Sequence, residues 1–422
     1  MVKIVLYKKP IIFIIGFLFF TGFSRAQNLS TARFFFEEKD FARAKESVDS
    51  FVLINENNTE GWLLKANIYN AIRKDVESKY LAADAGMEAF EALKKAKQLN
   101  SDFVRDQLKP THYNLPFDLY NGYTNEGLAY FNAGAERNDK GSYSEALNKF
   151  KNAGLVSSYI YSNGWGLSAF DTNNIFYSTK AGINAGKETE ALYFAKKIAD
   201  AGITQSTSSK GFESIYQWLV YYYKHQKDGE NFNKYAAIAM QKFPAAVYFN
   251  LIMIDWLRQQ GDYTNLFVAY AALLKKQPDS KFQFAYLNDV YNYLYQSKAD
   301  IKDKALYERI LKNRLLQYLK TNTASVDGRL LLGKFYINKA NDLGKEMMLR
   351  STTDAKVLNG YKMAQRNLLL QSNVYLKEIV NKFSKSNKVI YKEALELLIL
   401  SYYKLILKKE ARRYQLLLVG EK

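Results

Sequence analysis

The chain has 422 residues, 60 Lys and Arg against 42 Asp and Glu, and no cysteine. Without cysteine there is no disulfide stapling, no Cys-bound zinc, no thiol catalysis and no lipid anchor on a cysteine, so a core must hold the fold, and the length is enough for one. The net charge of +18 is spread along the chain without a block of five or six like charges, the pattern of a generally solvated basic surface.

The N-terminus reads as a secretory signal peptide over residues 1–26. Lys3, Lys8 and Lys9 precede the uncharged apolar run "IIFIIGFLFFTGF", and Ser24 and Ala26 offer small residues at −3 and −1 of a cleavage site. The apolar run is short for a membrane span, which needs about 20 residues, although a retained anchor is the competing reading. The expected mature chain starts at Gln27 and, without Lys3, Lys8, Lys9 and Arg25, carries 56 basic against 42 acidic residues. An exported chain of this charge points away from nucleic acid and toward acidic partners or an anionic envelope surface.

From there on, helical stripes alternate with turns. "EKDFARAKESVDSF" places Phe41, Ala44, Val48 and Phe51 on one face, and "GWLLKANIY" does the same with Trp62, Ala66 and Tyr69. Residues 99–120, with Pro110 and Pro116, are expected to form a longer loop. "GYTNEGLAY" carries Tyr123, Gly127 and Tyr130, and "GSYSEALNKFKNAG" carries Gly141, Tyr143, Ala146, Phe150 and Ala153. "NGWGLSAF" (163–170) is a loop between helix pairs, and "AGKETEALYFAKKI" resumes the stripe with Gly186, Ala191, Ala195 and Ile198. Pro244 and Pro278, two of only five prolines, stand 34 residues apart. Between them Gly261-Asp262-Tyr263 makes a turn, and Leu266, Tyr270 and Leu273 follow at i, i+4, i+7. "KFQFAYLNDVY" and "GRLLLGKFY" repeat the first-helix form through Phe284, Leu287, Asn288 and Tyr291, then Gly333 and Tyr336. Residues 341–360 fit no register and either extend a helix or form an insertion. No period-two alternation with turn dipeptides recurs, so strands are not expected.

A bulky residue, a small one four later and an aromatic three later, followed by a second helix with its own apolar face, resembles the tetratricopeptide repeat, whose period is 34 residues. The resemblance covers most of 28–410 as about eight or nine helix pairs, and is clearest over Trp62 to Tyr69, Gly141 to Ala153 and Gly261 to Pro278. "YNGYTNEGLAYFNAG", "DTNNIFYSTKAGINAG" and "LLLGKFYINKANDL" are similar, more loosely, to exported Bacteroidetes-type repeat proteins. Two units are longer than the family pattern: 20 positions separate Tyr69 from Ala89 and 16 separate Tyr130 from Ala146. Paired helices lengthened together would absorb the surplus. What the resemblance implies is an all-α helix-pair solenoid forming a right-handed superhelix, with the aromatic slots Tyr69, Tyr130, Tyr143, Tyr291 and Tyr336 buried and a concave groove lined by first helices.

Chemistry is sparse. There are two histidines, His112 and His225, neither with a second ligand at metal spacing, and the phosphate-loop, dinucleotide and nucleophile-elbow motifs do not occur. The sequons at Asn28 and Asn57 carry little weight in a presumed bacterial protein. The Lys-Asn pair with which some of these repeats hold a C-terminal carboxylate is missing: the matching positions are Leu63 and Asn67, then Thr124 and Leu128. The expected function is therefore a non-catalytic scaffold of the periplasm, or associated with the outer membrane, that needs no cofactor and binds a peptide or protein segment in the groove. By position within each unit, Asn67, Asn70, Asn121, Asn132, Asp255, Arg258, Lys334 and Asn338 would point into it. A glycan-binding accessory protein of the starch-uptake type is the alternative, although such proteins usually carry a lipid-anchored cysteine and a large insertion; an envelope enzyme is the third reading.

Overall fold

The computed structural model describes residues 28–205, 211–297, 301–350, 354–382 and 387–420; the signal-peptide segment lies outside them. Among the described residues there are 19 α-helices, two short 3-10 turns and no strand. The fold is the all-α helix-pair repeat that the stripes imply. It divides into two units, with the boundary between Leu219 and Val220.

The first unit contains α1 (Leu29–Glu37), α2 (Phe41–Ile54), α3 (Thr59–Lys74), α4 (Ala85–Leu99), α5 (Ser101–Leu108), α6 (Asn114–Arg137), α7 (Lys140–Ser162), α8 (Thr172–Ala185), α9 (Glu188–Asp200) and the start of α10 (Glu213–His225). The second contains the rest of α10, then α11 (Gly229–Lys242), α12 (Val247–Gln260), α13 (Tyr263–Lys276), α14 (Ser280–Tyr295), α15 (Lys304–Thr321), α16 (Val326–Leu349), α17 (Ala355–Lys382), α18 (Lys388–Lys404) and α19 (Lys408–Val419). Apart from α5, consecutive helices form pairs.

One turn chemistry recurs at the pair hairpins. A left-handed residue ends the first helix and an aspartate caps the second: Lys39-Asp40, Asn138-Asp139, Lys227-Asp228 and Gly261-Asp262, with φ of +60°, +51°, +57° and +69° at the first position. The left-handed residue turns the chain out of the helix, and the Asp carboxylate takes up backbone N–H groups that have no partner inside the new helix. Within and between the pairs, small residues admit bulky ones. A Cβ added to Gly61 would lie 2.7 Å from Phe51 Cε1, one on Gly127 2.6 Å from Phe150 Cε1, and one on Gly333 2.7 Å from Leu376 Cδ2. Phe150 and Leu376 are fully buried, so these slots are closed by core and not by mobile surface.

Several expectations change. Residues 99–120 are not a loop: α5 and a 3-10 turn fill 101–111, and Pro116 is the third residue of α6, where a missing N–H leaves no helix bond unmade. The surplus after Tyr130 is absorbed by the long pair α6 and α7, of 24 and 23 residues, as expected, whereas that after Tyr69 lies in the connection 75–84. The described part of 341–360 extends helices, since α16 runs to Leu349 and α17 starts at Ala355; residues 351–353 lie outside the described residues. Tyr69, Tyr143, Tyr291 and Tyr336 are buried, but Tyr130 is 41 % exposed. The reason is length: Tyr123 already sits level with Asp84, the N-cap of α4, and Tyr130 lies two turns further on, past the end of that helix. No helix among the described residues is long and apolar enough to cross a membrane.

Candidate partner-binding site

In the first unit, α1, α3 and α5 enclose a cavity of about 580 Å³. The inserted helix makes the third wall. Asn100 closes α4 and at the same time caps α5 by accepting from the Phe103 N–H at 3.0 Å, while Val104 and Leu108 anchor α5 in the core. Phe103 and Gln107 are left facing the cavity. Opposite stand Phe36 and Arg33 from α1, and Leu63, Leu64, Glu60 and Asn67 from α3. Arg33 pairs with Glu60 across the helix gap. Glu37 of α1 also lines the cavity, so the result is an apolar floor framed by one ion pair, one further carboxylate and two amides. Asn67 donates to the Leu63 carbonyl at 3.0 Å, which fixes its side chain and leaves its amide oxygen without a described donor.

The other sequence-derived residues are placed differently. Asn70 is 7 % exposed and belongs to the core edge, where it takes hydrogen bonds from Arg73 and donates weakly to Asp118 at 3.4 Å; it is not a groove residue. Asn121 and Asn132 are exposed on α6, and no described contact holds either. Asp255 and Arg258 do come together, one turn apart on α12, but both are spent inside the chain. Asp255 pairs with Lys224 and with Arg258, while Arg258 grips both oxygens of Asp289 at 2.9–3.1 Å and the Tyr270 hydroxyl at 3.0 Å. Lys334 pairs with Glu393, and Asn338 donates to the Tyr291 hydroxyl at 2.8 Å. His112 and His225 are exposed, the latter stacked on Tyr221. No group of His, Asp and Glu that could hold a metal occurs among the described residues.

A feature that the stripes alone did not show is a repeated tyrosine–carboxylate contact. Tyr69 donates to Asp49 at 2.7 Å, Tyr123 to Asp84 at 2.6 Å, Tyr270 to Asp289 at 2.7 Å and Tyr295 to Glu308 at 3.1 Å. In three of the four a Lys or Arg completes the set: Lys65 on Asp49, Arg258 on Asp289 and Lys339 on Glu308. Burial raises the pKa of each phenol, and the carboxylate raises it further. At Asp49, burial opposes the charge, but hydrogen bonds from Lys65, Tyr69 and Lys45 outweigh it and hold the carboxyl below its ordinary value. These are neutral phenols locked as donors, suited to joining helices and not to acid–base catalysis.

Comparison with protein families and with curated proteins finds no match. Solved structures give distant likenesses. A monomeric IFIT1 mutant with m7Gppp-AAAA has 14 % identity and a TM-score of 0.32, over 85 % of this chain and 69 % of that one. The P58(IPK) TPR domain has 11 % identity and a TM-score of 0.25, over 92 % and 90 %. Naa15/Naa10 bound to HypK-THB has 14 % identity and a TM-score of 0.31, over 92 % and 56 %. At these scores none of the three bears on partner or residue roles.

The acids and bases of α12, α14 and α16 thus stitch the second unit together, while the α1–α3–α5 cavity keeps both apolar wall and polar rim open. Of the sequence-derived residues only Asn67 lines it. Phe103 escaped because its segment read as a loop; the Asn100 cap ahead of the apolar pair Val104 and Leu108 was the signal that could have revealed it.

Proposed function

We propose that the protein is a non-catalytic scaffold of the cell envelope that holds an extended segment of a partner protein against the first helices of its first unit. The observation that carries this reading is the cavity itself: Phe36, Leu63 and Phe103 offer an apolar seat for one side chain, and Asn67 and Gln107 stand at its rim where a partner backbone needs hydrogen bonds. The signal-peptide reading of residues 1–26 supports a periplasmic location, and the basic composition supports contact with acidic segments or an anionic envelope face.

The test is crosslinking in intact envelopes, with a photo-reactive residue at position 107, followed by mass spectrometry. A discrete protein adduct that disappears on Phe103→Ala supports the reading. Crosslinks unchanged by Phe103→Ala, or adducts to glycan in place of protein, would refute it. Cell fractionation checks the export part: full-length protein found only in the cytoplasm would remove it.

A further inference from the structure

We propose that the cleft between α13, α14 and α15 in the second unit binds a carboxylate carried on an apolar body about the size of an N-acylated amino acid. The proposal is independent of the segment-binding reading, which concerns a different unit.

Pro278 stops α13 from continuing into α14, and the break leaves a cavity of about 380 Å³. Its floor is apolar and aromatic: Leu274 from α13, Tyr286 from α14 and Tyr318 from α15. The facing turns of α14 and α15 contribute the amides Gln283 and Gln317, and α15 also contributes Arg314. No Asp or Glu lines the cavity. Arg314 is itself exposed; its guanidinium carbon lies 5.0 Å from the centroid of the Tyr286 ring, and it has no carboxylate partner among the described residues. That sets it apart from the arginines of the other cavities, since Arg33 pairs with Glu60 and Arg73 with Glu126. The Gln317 side chain makes no described hydrogen bond, and that of Gln283 makes only a long one of 3.4 Å to the Pro278 carbonyl.

A guanidinium resting over an aromatic face keeps its N–H fork free, and a fork with two amides beside it matches the two oxygens of a carboxylate. The aromatic floor takes the apolar part, and the volume falls at the small end of ligand pockets, enough for one residue-sized group. The same chemistry is met by a free organic acid or by the last residue of a peptide. It is not the Lys-Asn arrangement of first helices, because Arg314 stands on a second helix.

Titration of the full chain with N-acetyl-phenylalanine, followed by calorimetry or ligand-observed NMR, tests this. Saturable binding is expected, with N-acetyl-phenylalaninamide weaker by about tenfold or more, the scale of losing a hydrogen bond to a charged group. Arg314→Gln should bring the acid down to the level of the amide, Arg314→Lys should fall between, and Arg309→Gln, outside the cleft, should change nothing. A tripeptide ending in phenylalanine, with free or amidated C-terminus, then separates the two sources: a peptide acid at least as tight as the free acid assigns a chain end, and a weaker one a small molecule. Absence of saturable binding by every acid, equal affinity for acid and amide, or full affinity in Arg314→Gln would overturn the proposal; the acid–amide comparison uses only the unaltered protein and so does not depend on how the variants fold.

Discussion

Asp289 shows how Arg258, a charged side chain that reads as a binding residue in the sequence, becomes part of the frame. Its carboxylate is 3 % exposed and is held by Arg258 and Tyr270, so removing the guanidinium leaves a buried charge with one phenol as partner. Arg258→Ala should therefore cost about 2–3 kcal/mol of stability, and adding Asp289→Asn should recover part of it, because the amide carries no charge to desolvate. Urea unfolding of the two variants measures this. A loss no larger in Arg258→Ala than at an unpaired surface arginine would mean that the pair is solvated. Gly127 gives the second residue-scale prediction. A side chain there meets Phe150, which is fully buried and has nowhere to move. Gly127→Leu should lower stability by about 1–3 kcal/mol through overpacking, against a gain of up to about 1 kcal/mol in helix propensity. The proper control is Gly360→Leu in α17, where an added Cβ meets nothing within 4 Å; Gly186, at φ +74°, would add backbone strain to the comparison. Thermal melts in which Gly127→Leu matches Gly360→Leu would show that the slot is not closed.

The hairpin turns are the element-scale device, and they carry a pH dependence. The pKa of Asp40 is lowered by hydrogen bonds from the backbone and side chain of Arg43, that of Asp139 by the hydroxyl and backbone of Ser142, and that of Asp228 by the side chain and backbone of Asn231. All three carboxyls titrate below their unfolded value of about 3.9. Their contribution is thus complete above that value and lost as pH falls through the lower folded values. Replacing all three by Asn keeps a good cap without the titrating group. The triple variant should lose less stability than the parent between about pH 5 and pH 3, read as thermal midpoints across that range; parallel curves would mean that the caps do not titrate with folding. At this scale the sequence was legible wherever a stripe and its turn were both local. The α12–α13 pair followed from Gly261, Asp262 and the Leu266–Tyr270–Leu273 face. It was misleading where a single residue type was read as a breaker: Pro116 sits in the first turn of α6, and Pro110 ends α5 instead of marking a loop. The site was legible only at Asn67. The partners of Arg258 were hidden because Asp289 is 31 residues away and meets it only through helix packing.

Each unit has cores built from neighbouring helices, so at the scale of the molecule a defect should travel by contact along the chain order and fade. Gly127→Leu is the variant with which to follow it. The slot joins α6 to α7, and the buried face of α7 continues through Phe150, whose ring stacks on Tyr177 of α8 at 5.5 Å. Phe131 of α6 touches Tyr177 too, at 5.7 Å, so α6, α7 and α8 share one aromatic cluster. Loosening it should raise amide exchange in all three helices. The second unit's last helices draw on another cluster, with Tyr391, Leu395 and Leu398 of α18 packed with Ala411 and Tyr414 of α19. Hydrogen exchange followed by mass spectrometry should therefore show protection falling most in α6 to α8, less in α3 and α4, and not at all in α18 and α19. Uniform loss across every helix would mean that the chain unfolds as one cooperative block, and the nearest-neighbour account of its stability would have to be abandoned.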